Sequence, residues 1–127
     1  MRVLRNAHRL CRPDGVILDL TTVPPAAGIE LDGALLGRLD QRSFLADAAT
    51  TEKAVELLVA DGLLVEETSL AHSVLMHFDS GPDAIEDLGG RRVTRLPDEL
   101  RETIERIDRP LVERSHCLLR RLRVLAG

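Results

Sequence analysis

The sequence predicts an α/β domain, a small mixed sheet of about four to five strands with helices packed on it. Two stretches, Arg2 to Cys11 and Ser43 to Asp61, carry apolar residues at helical spacing. Between them lies Val16-Ile17-Leu18-Asp19-Leu20, a short β-branched-rich run bounded by turn residues. From Leu70 to Phe78 apolar and polar residues alternate, as on a strand. At 127 residues the chain fits one domain, 1–127, and no repeat, low-complexity tract or long linker divides it.

The first helix puts Val3, Leu4, Ala7, Leu10 and Cys11 on one side and Arg2, Arg5, Asn6 and Arg9 on the other. Pro13-Asp14-Gly15 ends it, because proline disfavours helix at the residue before it and glycine accepts a tight turn. The apolar run from Val16 to Leu20 shows no alternation, which predicts a strand covered on both faces. It closes at Thr21-Thr22-Val23-Pro24-Pro25.

Ile29-Glu30-Leu31 and Ala34-Leu35-Leu36 flank Asp32-Gly33, a pair suited to a type I′ hairpin turn. Phe44, Ala48, Val55, Leu58 and Val59 mark the buried face of the second helix, with Gly62 at the left-handed position beyond its end. A strand follows at Leu63 to Val65. From Leu70 to Phe78 the even positions Leu70, Val74, Met76 and Phe78 are expected to face inward.

Ser80-Gly81-Pro82-Asp83 offers a capping serine with an acid three residues on, starting a short helix that ends at Gly89-Gly90. Another starts at Leu96-Pro97-Asp98-Glu99 and buries Leu100, Ile104 and Ile107. Residues 111 to 125 fit a helix through Leu111, Val112, Ser115, Leu118, Leu122 and Leu125, and a strand through the alternation around Cys117 and Leu119. Periodicity leaves both open.

No apolar run is long enough for a membrane span, and MRVLRNAHRL lacks the apolar core of a signal peptide, so a cytoplasmic, membrane-free protein is expected. Cys11 and Cys117 stand far apart and outside any metal-ligating pattern, which predicts free thiols and no metal site. Net charge is −4, yet residues 91–127 hold 10 arginines against 6 acids. With Phe44 and Phe78 as its sole aromatics, the chain lacks the stacking platform of nucleic-acid binders, and no nucleic-acid partner is expected.

The stretch Leu4 to Leu20, LRNAHRLCRPDGVILDL, resembles the helix, "vLrPGG" turn and fifth sheet strand of class I, Rossmann-type S-adenosylmethionine-dependent methyltransferases. Pro13 and Gly15 match that turn, while Asp14 stands where the family has its first glycine. Ala60-Asp61-Gly62-Leu63-Leu64 resembles the "eaGF" before the family's sixth strand, and SHCLLRRLRV would be the seventh. The resemblance runs over residues 2 to 78 and is looser beyond.

What it implies is the C-terminal half of such an enzyme, a half-Rossmann-like sheet without the cofactor-binding half. The family's glycine-rich turn and ribose-binding acid precede this part, and the chain has no GxGxxG, so no cofactor is expected. Gly28, Gly33 and Gly37 fall in the expected hairpin and cannot replace it. A half sheet leaves an edge or face that another chain must cover, which predicts a homodimer or a partner protein. The Thr21 to Pro25 loop is where a small-molecule substrate would lie if function followed the resemblance.

Three residues are candidates for chemistry. His77 and Asp79, at the end of the strand from Leu70 to Phe78, could act as an acid/base pair, or form a solvated pair ending the strand. Asp19, inside VILDL, could be a desolvated site carboxylate, or an acid bonded to the Thr21-Thr22 loop. His72 reads as a core histidine bonded to backbone, facing away from His77, and no serine has a nucleophile's context. Two functions follow: a non-catalytic, methyltransferase-like domain that associates with itself or a partner, or a subunit of a small-molecule methyltransferase whose cofactor site another polypeptide supplies.

Overall fold

A computed structural model of the chain describes Arg9 and residues 11–125. Apart from Arg9 and Cys11, the helix expected from Arg2 to Cys11 lies outside the described residues. The fold is α/β. Five strands, β1 (Val16–Thr22), β2 (Gly28–Leu31), β3 (Ala34–Arg38), β4 (Leu64–Phe78) and β5 (Leu111–Val124), form one open sheet. The described helices are α1 (Arg42–Ala60), α2 (Gly81–Gly89) and α3 (Asp98–Ile104).

β5 organises the sheet. It pairs with β1, with β2 and with β4, which settles residues 111 to 124 as strand rather than helix. The ladders of β5 with β1 and β2, and of β2 with β3, are antiparallel. The sheet is therefore antiparallel rather than mixed: long-range pairing selected the extended form for a segment whose periodicity allowed either.

The chain divides into two compact units, one of Met1–Val23, Ala46–His72 and Cys117–Gly127, the other of Pro24–Leu45 and Ser73–His116. In the first, the Pro13-Asp14-Gly15 turn is tied to the end of β5 by bonds from Asp14 N–H to the Val124 carbonyl (2.9 Å) and from Val124 N–H to the Gly15 carbonyl (2.8 Å). Asp14 sits at φ 65°, a left-handed conformation that Asp tolerates better than most residues. The β1–β5 register runs from Val16↔Arg123 to Thr22↔Cys117. Ala54, Val55 and Leu58 of α1 bury against Leu64, Leu122 and Val124, with Ile17 and Cys11 packed beside them.

Three expectations fail here. Helix α1 packs on Ile17, so β1 is covered on one face and its other face points outward: Leu18 and Leu20 are 69% and 62% exposed. Val59, expected on the buried face of α1, is exposed as well. β4 enters as a buried strand at Leu64 and then runs exposed from Val65 to Ala71, with Leu70 at 61%.

In the second unit Asp32 (φ 51°) and Gly33 (φ 83°) make the expected hairpin turn between β2 and β3, both in the left-handed region that a type I′ turn requires. β2 pairs onward with β5, Ile29 opposite Glu113. The core gathers Ile29, Phe78, Leu88, Leu100, Ile104 and Leu111. Ser80 caps α2 as expected, its Oγ accepting from Asp83 N–H at 3.3 Å. Leu100 and Ile104 of α3 are buried as expected, and Ile107 packs half-buried just beyond the helix end.

The even face of β4 does not turn inward as expected. Of its apolar residues in this unit Phe78 alone is buried, while Val74, Leu75 and Met76 are exposed. Only the two ends of β4, Leu64 and Phe78, belong to the hydrophobic clusters, and the apolar residues between them stand outside.

Candidate functional site

His77 and Asp79 border one cavity at the end of β4. Phe78 turns into the core and, by the two-residue period of a strand, sends its neighbours on either side outward. The Ser80 cap then starts α2 so that Asp83, Glu86 and Asp87, at helical spacing, share one face. His77, Phe78, Asp79, Asp83, Glu86 and Asp87 line a surface cavity of about 460 Å³.

The chemistry of this cavity is acidic and open. Four carboxylates surround one imidazole, and Asp87 is paired outward with Arg91 at 2.7 Å. No hydrogen bond joins His77 to Asp79. Among the described residues no three His, Cys, Asp or Glu side chains are placed to hold a metal ion.

Asp19 belongs to the other unit and has a different role. It stands opposite Arg120 in the β1–β5 register, and its Oδ2 accepts from Arg120 Nη2 (2.7 Å), Arg120 Nε (3.2 Å) and the Thr21 hydroxyl (3.1 Å). Arg120, only 3% exposed, also donates from Nη1 to Glu52 Oε1 on α1 at 2.7 Å. Burial opposes the arginine's charge, but the bond to Asp19 and the charges of Glu52, Asp19 and Glu66 outweigh it and raise the guanidinium pKa. Asp19 is thus engaged in an ion-pair network that links β1, β5 and α1, in which Glu52 Oε2 is buried without a hydrogen-bond partner.

Sequence reading found Asp19 and the bond to the Thr21 loop but missed Arg120 and Glu52. The available signal was an acid inside an apolar strand, which demands a cation, in a chain with an arginine-rich C-terminal segment. Choosing which arginine required the register.

A second buried acid went unnoticed. Glu113 on β5, 3% exposed, accepts from Arg91 Nη1 at 2.7 Å through Oε2. Arg91 Nη2 also lies 2.7 Å from Oε1, close enough to pair charge though not aligned for a hydrogen bond. The hydrogen bond to Glu113 raises the Arg91 pKa against burial, and Asp87 adds to it. His72, expected to be bonded to backbone in the core, is only half-buried, and its Nδ1 is buried without a hydrogen-bond partner.

Comparison with protein-family models, with curated proteins and with solved structures finds no match to this chain.

Proposed function

We propose that the chain is a non-catalytic, cytoplasmic, methyltransferase-like domain that works by association, with a second copy of itself as the first partner. The observation that carries this reading is β4. It is a 15-residue strand whose one partner among the described strands is β5, and Val65, Leu70, Val74, Leu75 and Met76 along it are exposed. A long apolar edge strand is a template for pairing with another chain, and folded proteins cover or blunt such edges.

Antiparallel pairing of β4 with the β4 of a second copy would relate the two strands by a two-fold axis. A two-fold interface of this kind is self-complementary by symmetry. The exposed Val16, Leu18 and Leu20 of β1 are a further apolar surface for such contacts.

The half-Rossmann-like reading has support in the strand pairing. The strand likened to the family's seventh, β5, pairs with both β1 and β4, likened to the fifth and sixth. The acidic, unbonded surroundings of His77 and Asp79 and the structural engagement of Asp19 favour the non-catalytic reading over the enzyme subunit. Titration with S-adenosylmethionine tests it: no binding at micromolar concentrations is expected of the purified chain, and micromolar binding would overturn the reading.

A further inference from the structure

The second unit carries four arginines, Arg92, Arg95, Arg101 and Arg106, whose side chains have no hydrogen bond or ion pair among the described residues. Arg38, Arg42, Arg91, Arg109 and Arg114 of the same unit all have partners within it. The unpaired ones are not scattered. Arg95 and Arg101 line one cavity of about 260 Å³, and Arg92 and Arg95 line a neighbouring one that shares Arg95.

The smaller cavity has the features of an anion site. Its apolar wall is Ile85, Leu88 and Leu96. Thr94, buried, borders it with a hydroxyl whose oxygen already accepts from Gln41 Nε2 at 3.2 Å. Gln41 is itself oriented by the Ala27 N–H, bound to its Oε1 at 2.9 Å. The Thr94 proton has no acceptor among the described residues, so the hydroxyl can donate to a ligand.

Donors therefore converge without acceptors. Arg91 also lines this cavity, but its charge is taken up by Glu113 and Asp87. Arg95 and Arg101 remain as two guanidinium groups without a hydrogen bond or ion pair among the described residues, Arg95 feeling the Asp40 carboxylate of the neighbouring cavity only through its charge. Together they match a dianion and bind phosphate oxygens in a planar, forked geometry. The volume lies below that of a typical drug-sized site, so the ligand is small.

We propose that the cavity bounded by Arg95, Arg101, Thr94 and the Ile85–Leu88–Leu96 wall binds a small phosphomonoester, its phosphate on the two arginines and the threonine and its organic group on the apolar wall. None of the residues lining this cavity lies on β4, though Arg91 in its lining donates to Met76 Sδ at 3.2 Å.

The test is titration of the full chain, followed by amide and arginine Nε–H NMR shifts, with inorganic phosphate and with phenyl phosphate. Saturable shifts at Thr94, Arg95 and Arg101 are expected, with a Kd of about 1 mM or tighter for phenyl phosphate and weaker binding of inorganic phosphate. Arg95→Gln combined with Arg101→Gln should weaken binding at least about tenfold, the loss of one charge-assisted contact. Arg106→Gln should leave it unchanged. Because all three side chains are exposed, the variants keep the fold, which an unchanged amide spectrum away from the cavity verifies. Equal binding by the double variant, equal affinity for the two ligands, or shifts spread over all exposed arginines would overturn the proposal.

Discussion

Asp19 on β1 and Arg120 on β5 stand directly opposite one another, joined at 2.7 Å between Oδ2 and Nη2. The pair lies between two antiparallel strands and under helix α1, from which Glu52 reaches the same guanidinium. This is where charge is most deeply built into the first unit, and it makes the β1–β5 register sensitive to single substitutions.

Arg120→Ala leaves two carboxylates facing a buried position without their cation, and such loss of one partner in a buried pair costs about 3–5 kcal/mol. Urea unfolding measures it. Replacing Arg120, Asp19 and Glu52 together by Met, Leu and Gln should recover most of that loss, because the desolvated charges are then gone.

Gly81 opens α2 with its backbone against the α3 end: its N–H donates to the Ile107 carbonyl at 2.8 Å, and a Cβ on Gly81 would run into the Ile104 carbonyl. Gly81→Ala should therefore destabilise by about 1–3 kcal/mol, as overpacking does. Gly89→Ala, at the other end of the same helix, meets nothing within 4 Å and should be neutral or slightly stabilising. Thermal melts of the two variants separate close packing from helix propensity.

Glu67 on β4 accepts from Arg123 and Arg121 on β5, at 2.7 and 3.0 Å, and those bonds hold its carboxyl below the ordinary carboxylate range. A carboxyl depressed by folding adds stability above its unfolded value of about 4.3 and loses it as pH falls through the lowered one. The melting temperature of Glu67→Gln should lie below that of the unsubstituted chain at pH 7. The two should converge as the pH is taken down towards 2. A gap that persists at low pH would assign the effect to packing instead.

Local chemistry was legible in the sequence wherever a few neighbouring residues decide the conformation. Asp32-Gly33, Gly62 and the Ser80 cap fell where their backbone requirements put them. That His77 and Asp79 stand near one another was legible too, since it follows from the strand period and the onset of α2. What failed depends on distant partners. Strand or helix at 111–124 was decided by the β1 and β2 ladders. The inward face assigned to β4 and the double cover assigned to β1 assumed that apolar residues must be buried within the chain. Leu18, Leu20 and Leu70 show instead where this chain stops covering itself. Arg120 and Glu113 were invisible because a buried acid announces the need for a cation but not its position.

That uncovered apolar surface makes association the central claim, and the mass of the chain in solution tests it most directly. Size-exclusion chromatography with light scattering, at micromolar concentration and physiological salt, should give twice the 14.0 kDa of one chain. Leu70→Glu combined with Val74→Glu on the exposed strand should return it to a monomer with its fold intact. A monodisperse 14.0 kDa species for the unsubstituted chain across that range would contradict the account.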